Sequence, residues 1–293
     1  MDLKIQVAKV GPIKTNCYVV SEKSGEAIVI DPGAEVERIL ELLSGLKLKY
    51  ILLTHGHFDH ASAVDDLHTR YSNAPIYLSE YDVKLFNAIP EQGAYAGHIV
   101  RKQLSELETV SDGMFLPFAD YEIEVIATPG HSEGSVCYRI GDCLFSGDTL
   151  FYHTHGRVDL PFSNPQKMVD SLDRILHLHG VKTVYPGHGK TTTIKEEVSQ
   201  GIYDLVRQIP TGRIVTYGDI ARVFAINPRY VGLVLHQNPY PGEVPCHRVV
   251  NSQGRVAATF AFGGGDAQRL MLESEGVVFI NNRIDLAIYR FHF

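Results

Sequence analysis

The apolar run Tyr50-Ile-Leu-Leu-Thr54 leads directly into His55-Gly56-His57-Phe58-Asp59-His60, four potential metal ligands within six residues at the end of a strand-like segment. His55 and His57 lie two apart, so on an extended chain they face one side, while Asp59 and His60 open the next turn toward a neighbouring position. Such an arrangement can hold two ions, provided the fold brings more donors to it from elsewhere in the chain.

Those donors stand at loop-like sites downstream: His131 in Thr128-Pro-Gly-His-Ser132, Asp148 in Phe145-Ser-Gly-Asp-Thr149 and His188 in Pro186-Gly-His-Gly189. Glycine beside a ligand lets the backbone approach without a Cβ in the way. Asp159 and His153 are weaker candidates. The remaining histidines, at 68, 98, 155, 177, 179, 236 and 292, are expected to be packed or solvent-facing. Imidazole with carboxylate suits zinc, iron or manganese rather than calcium or magnesium. Two such ions about 3.5 to 4 Å apart point to metal-assisted hydrolysis.

Strand-like runs at Lys4 to Val10, Cys17 to Val20, Ala27 to Ile30 and Lys47 to Leu53 alternate with a helical pattern from Val36 to Leu43. Further strands are expected at Pro75 to Leu78, Tyr121 to Ala127, Ser135 to Ile140, Cys143 to Ser146 and Val181 to Tyr185, with a helix at Pro165 to Leu178. Ligands at strand ends fit sheets flanked by helices, whose loops carry the chemistry. After the polar stretch Lys190 to Gln200 the texture changes. Ile202 to Ile209, Gly218 to Ala225 and Pro228 to Gln237 read as three short helices, followed by strand-like Val249-Val250 and Arg255-Val256-Ala257.

A length of 293 residues allows two cores. The charge divides unevenly between them. From Gly201 onward there are nine Arg, no Lys and seven Asp or Glu, a balance of +2, which leaves -9 of the overall -7 to the first part. The acidic part should not seek nucleic acid, whereas the arginine-bearing part can. No apolar run reaches the roughly 18 residues of a membrane span, and Met1 to Ile5 lacks the regions of a signal peptide. Cysteines at 17, 137, 143 and 246 show no CxxC spacing, which fits a reducing, cytoplasmic setting.

Residues 1 to about 200 resemble the metallo-β-lactamase superfamily, specifically small glyoxalase II-like hydrolases, through Thr54-His-Gly-His-Phe-Asp-His60, Thr128-Pro-Gly-His131, Phe145-Ser-Gly-Asp148 and Tyr185-Pro-Gly-His188 in order. The resemblance implies a four-layer αββα fold. It also implies one metal on His55, His57 and His131, a second on Asp59, His60 and His188, and Asp148 bridging them. Asp59 is carried as a catalytic residue too. Two divalent ions are implied, zinc first, with iron or manganese as alternatives, and the small-molecule substrate is a thioester such as an S-acylglutathione.

Pro245-Cys246-His247-Arg248-Val249-Val250 holds the cysteine best placed to react, since a cationic or hydrogen-bonded neighbourhood favours the thiolate. Residues 201 to 293 resemble the DNA-binding, active-site domain of O6-alkylguanine-DNA alkyltransferases, through Ile209-Pro-Thr-Gly-Arg213, Thr216-Tyr-Gly218, Pro228-Arg-Tyr-Val-Gly232, Asn238-Pro239, the Cys246 motif and Glu273-Ser-Glu-Gly276. By that resemblance Cys246 accepts an alkyl group, His247 takes its proton through water and Glu275 orients His247. Arg229 fills the vacated base position, Tyr217 presses on a phosphate, Asn238 braces the active-site turn, and Arg248 is expected at the double-stranded alkylated DNA. The pair Ala261-Phe262 stands where family members have an aromatic residue and a hydroxyl.

The expectation is therefore a bifunctional chain: a metallo-β-lactamase-fold hydrolase over 1–199 and a small helix-turn-helix, winged-helix-like alkyltransferase domain over 200–293. Alternatives are a C-terminal module that binds alkylated DNA without transfer, and a metal domain acting as a nuclease, phosphodiesterase or persulfide dioxygenase.

Overall fold

The computed structural model describes residues 3–224 and 226–293; Met1 and Asp2, and the expected helix end at Ala225, lie outside the described residues. The chain divides into two compact units, Met1–Ile194 and Lys195–Phe293. The helix Ile194–Arg207 runs on through residues 199 and 200 without a break.

In the first unit, six strands form one sheet in the order Lys4–Val10, Thr15–Ser21, Glu26–Ile30, Lys47–Leu52, Ile76–Ser79, Glu108–Val110. Five form a second, in the order Thr183–Pro186, Cys143–Gly147, Val136–Ile140, Tyr121–Ala127, Phe115–Phe118. Alternation of side chains across a strand explains how the layers assemble. Ile28, Ile30, Tyr50 and Leu52 of the first sheet meet Ile123, Val125, Tyr138 and Phe145 of the second in one buried cluster. Their strand neighbours Val29, Ile51 and Leu53 face the other way, onto Ile39, Val64 and Leu67 of the helices Val36–Leu42 and Val64–Arg70. Ile126, Cys137 and Leu144 likewise pack with Ile175 of the helix Pro165–Leu176. The result is an αββα stack of four layers.

The pairing pattern fixes where the ligands land. Glu26–Ile30 runs parallel to Lys47–Leu52, and Cys143–Gly147 runs parallel to Thr183–Pro186. Tyr121–Ala127, two antiparallel steps from Cys143–Gly147, points the same way as that strand. Asp31, His55, His131, Asp148 and His188 all follow the C-terminal ends of these strands.

The second unit is small. Val215–Thr216 pairs with Val249–Val250, and Ile214, Val250, Leu272, Val277 and Ile284 form its core. Thr216 caps the helix Tyr217–Val223 through a reciprocal capping box with Asp219, and Asn227 caps Pro228–His236 with proline at the first helical position. These two helices form the helix-turn-helix. Arg290 also reaches the Asp219 carboxylate, and Phe291 N donates to Ile214 O, which ties the C-terminal segment to the capped turn. Arg255 to Ala257 is not a strand, contrary to expectation. Ala257 N is taken by the Gln268 side chain on the helix Gly264–Ser274, so no neighbouring strand is needed to satisfy it. Among the described residues no helix is long and apolar enough to cross a membrane.

Candidate functional site

Three overlapping sets of donor atoms converge at the strand ends of the first unit: His55, His57 and His131; His55, His60 and Asp148; Asp59, His60 and His188. Within each set the atoms lie within 4.8 Å of one another. His57 Nδ1 is 2.8 Å from His131 Nε2, and His60 Nε2 is 3.3 Å from His188 Nε2. Asp148 sits between the groups, with Oδ1 3.3 Å from His60 Nε2 and Oδ2 3.4 Å from His131 Nε2 and 3.5 Å from His188 Nε2. Asp59 Oδ2 is 3.3 Å from His188 Nε2. His153 and Asp159 are not in these sets, and Asp159 pairs with Arg157 at the surface.

The residues present fit a bound cation. His55 Nε2 and Asp148 Oδ1 are fully buried without a hydrogen-bond partner, a state that is costly for polar atoms with nothing to coordinate. The backbone also clears room for the cluster. A Cβ on Gly187 would lie 2.3 Å from Asp148 Oδ1 and 2.7 Å from His60 Cε1, so no other residue lets His188 approach this way.

Residues that hydrogen-bond the ligands orient their free nitrogens. Asp31 accepts from His60 Nδ1 at 2.9 Å and from Thr54 Oγ1 at 2.8 Å. With its proton given to Asp31, Thr54 Oγ1 accepts from His55 Nδ1 at 3.0 Å, which leaves His55 Nε2 as a lone pair. The Arg157 carbonyl accepts from His131 Nδ1 at 2.8 Å with the same effect. Thr15 Oγ1 donates to Asp59 Oδ2 at 2.8 Å. Asp82 joins two ligand loops: it accepts from Gly56 N at 2.9 Å, Ser132 Oγ at 2.6 Å and Gly134 N at 2.7 Å. Gln92 accepts from Phe58 N and donates to Gly56 O.

Electrostatics within the cluster follow from burial and crowding. Burial lowers His57 to about 3, helped by the neighbouring His131. Burial opposes ionisation of Asp148, but His60, His131 and His188 around it hold it down at about 2. Burial likewise opposes charge on Asp59, yet His60 and His188 drive it well below the usual carboxylate range. Burial opposes charge on His60, but the same carboxylates, with Asp31, push it well above the usual imidazole range, so His60 and the acidic groups titrate as one linked set.

In the second unit Cys246 is 5% exposed and lies on a cavity of about 520 Å³ lined also by Tyr217, Arg229, Gly232, Leu233, Ala257, Phe260 and Ala261. Ala261 lines the cavity directly, while the ring of the neighbouring Phe262 packs edge-on against Phe260 with centroids 5.5 Å apart. Asn238 Nδ2 donates to Cys246 Sγ at 3.2 Å, and its Oδ1 accepts from Tyr240 N, so it clamps the turn. Gln268, fully buried, donates to the His247 and Val249 carbonyls.

Of the cationic or hydrogen-bonded surroundings expected for Cys246, the structure shows the hydrogen-bonded kind, from Asn238. Burial pushes the thiol up to about 11, only partly opposed by the Asn238 bond, and His247 points instead at Glu275, Nε2 to Oε1 2.8 Å. Arg248, expected at the DNA, is engaged within its own unit. Its guanidinium donates to both Glu275 oxygens, to Ile209 O and to Thr211 Oγ1, and its side chain is 15% exposed. Burial opposes ionisation of Glu275, but Arg248 and His247 lower it to about 2.

Residues 10–188 match the metallo-beta-lactamase superfamily, and residues 197–277 match the DNA-binding domain of 6-O-methylguanine DNA methyltransferase. The probable polyketide biosynthesis zinc-dependent hydrolase PksB of Bacillus subtilis is 32% identical, covering 67% of this chain and 87% of that protein. Hydroxyacylglutathione hydrolase GloC of Haemophilus influenzae is 30% identical, covering 67% of this chain and 95% of its own. The crystal structure of TTHA1623 in a di-iron-bound form superposes with a TM-score of 0.61 at 36% identity, covering 66% of this chain and 96% of the other. Donor cluster, four-layer fold and sequence match agree, and the chain belongs to the metallo-beta-lactamase superfamily, with a DNA-binding domain of the 6-O-methylguanine DNA methyltransferase type following its metallo-hydrolase domain.

Proposed function

We propose that the first unit is a binuclear metallohydrolase of small thioesters such as S-acylglutathione, and that the second transfers an alkyl group from guanine O6 in DNA to Cys246. The observation that carries the first part is the pair of orphaned buried atoms, His55 Nε2 and Asp148 Oδ1, inside overlapping donor sets. His55, His57 and His131 would hold one divalent ion and Asp59, His60 and His188 the other, with Asp148 shared. Zinc is the first choice, in line with the zinc-dependent relative, and iron the second, in line with the di-iron neighbour. Bound there, the ions supply Lewis acidity toward water and an acyl oxygen. The protein's own residues hold the ligands rigid: Asp31 and Thr54 fix His60 and His55, the Arg157 carbonyl fixes His131, and Asp82 ties the two histidine loops together. Support for a thioester comes from the GloC likeness. The acidic balance of this part disfavours a phosphodiester.

In the second unit, Cys246 Sγ would attack the O6 alkyl carbon. An S–C bond forms, the C–O bond breaks, and the electron pair leaves on guanine O6 and delocalises onto N1, which takes a proton from water to restore guanine. The thiol proton passes to His247 through water, and Glu275, held ionised by Arg248, stabilises the imidazolium. Tyr217, on the cavity with Cys246, would press on the DNA backbone, and exposed Arg229 at the start of its helix would occupy the space of the extruded base. The thiol's raised pKa favours a second reading in which this unit binds alkylated DNA without transfer.

Metal analysis followed by assays with S-lactoylglutathione, a simple phosphodiester and glutathione persulfide separates the readings of the first unit. Turnover of the phosphodiester alone would overturn the thioesterase. Incubation with an O6-methylguanine duplex should add a methyl group to the Cys246 peptide, and tight binding without that adduct would establish the second reading of the C-terminal unit.

A further inference from the structure

The segment after Asp148 carries groups that ligand binding does not use. Phe151 N donates to Thr154 O at 2.8 Å, closing a tight turn in which His153 takes a positive φ of 58°. That conformation is uncommon for a non-glycine residue and persists only where its surroundings enforce it. The turn presents two rings. Phe151 packs edge-on against the His188 ring with centroids 5.7 Å apart, and Tyr152 stacks on His153 at 3.8 Å.

Lys190 completes the arrangement from the other ligand loop. Its Nζ lies 3.5 Å from the centroid of the Tyr152 ring. The loop beneath it is pinned on both sides: Asn16 N donates to Gly187 O, Asn16 Nδ2 to Gly189 O, and Gly187 N to Gly147 O. The lysine is exposed, and no ion pair to it is found among the described residues. The contrast with Arg101 is instructive. That arginine, beside Asp59 and Phe58 in a separate cavity of about 370 Å³, is neutralised by Asp66 at 2.5 Å. The tyrosine face positions the Lys190 charge without cancelling it.

We propose that Lys190, held on Tyr152, is an anion-binding subsite at the mouth of the metal cluster, and that it selects substrates whose thiol portion carries a carboxylate. The inference rests on the thioesterase reading for its substrate but not for its charge. A cation two residues beyond His188, on a pinned loop, meets whatever part of the substrate extends past the acyl group on that side. Neutral thioesters gain nothing there.

The test is calorimetric binding to the metal-loaded full chain, using S-methylglutathione, a thioether that hydrolysis cannot consume, and its dimethyl ester, in which both carboxylates are masked. Lys190→Ala should weaken binding of the acid about fivefold, the scale of one exposed ion pair, while Lys190→Arg keeps it within about twofold and the ester binds all three proteins alike. Equal loss for acid and ester, no loss for either, or no measurable binding of the acid to the unaltered protein would overturn the proposal. S-lactoylglutathione turnover is measured on the same preparations. Charge-dependent binding without turnover would refute the thioesterase and keep the subsite; turnover without charge-dependent binding would do the reverse.

Discussion

The two sites satisfy their polar atoms in opposite ways. Around His60 and Asp148, donors from four strand ends converge and leave two buried atoms without partners, so the protein alone does not complete the site. Around Cys246 the polar groups behind the thiol are engaged with one another, His247 with Glu275, Arg248 with both Glu275 oxygens and Asn238 with the thiol and Tyr240, while Tyr217 and Arg229 line the cavity in front of it. The first site is built for a group that must arrive, and the second is complete but quiescent, its thiol pushed up to about 11 by burial. Preorganisation therefore means different things in the two units: in one it aims lone pairs at a common point, and in the other it stores a nucleophile until substrate reorganises its surroundings.

The contrast would break most visibly at Asp148. Asp148→Ala removes the donor common to both halves of the cluster, so bound metal should fall below two ions per chain and hydrolysis should drop more than about 100-fold, the upper range even for residues that only support ligands. Metal content and activity that survive would mean that the donor sets do not act together. Arg248→Ala should have the largest effect on stability. It leaves the half-buried Glu275 carboxylate with only His247 and Gly212 N as partners, which costs about 1–3 kcal/mol and is read as a lower denaturant midpoint for the second unit. Arg229→Ala should change the stability of the second unit by less than about 0.5 kcal/mol while weakening duplex binding.

Asp82→Asn tests the clasp between the histidine loops. Metal affinity should fall about 10- to 100-fold, measured by competition with a chelator, with the fold retained in circular dichroism. The smallest effect separates a stored thiol from an activated one. Because burial holds Cys246 near 11, its alkylation by iodoacetamide should rise about tenfold per pH unit between pH 7 and 10, as the scarce thiolate becomes commoner. A rate already level at pH 7 would show a depressed pKa and contradict the burial argument.

What could be read from sequence follows the same division. Glycine-flanked histidines at the ends of apolar runs announce themselves, because residue type, spacing and strand periodicity are all local. Asp31, Asp82, Gln92 and Gln268 do not. Each is a single polar residue whose task is set by a partner distant in the chain, such as Gly134 for Asp82 or the His247 carbonyl for Gln268. Only the position of Asp31 after a strand, in Asp31-Pro32-Gly33, offered a signal. The same limit explains Arg248, which the resemblance placed at DNA although its fork closes on Glu275, 27 residues on. It explains Arg255 to Ala257 as well, where a β-like pattern was satisfied by a side chain instead of a strand.

The most direct test of the contrast uses one sample. Protein stripped of metal by a chelator is incubated with an O6-methylguanine duplex and the Cys246 peptide is weighed. A methyl adduct, formed at the rate seen with metal-loaded protein while thioester hydrolysis is lost, is the predicted result. An adduct that forms only in the metal-loaded protein, or in neither, would contradict the account of one site awaiting its ion and the other complete without it.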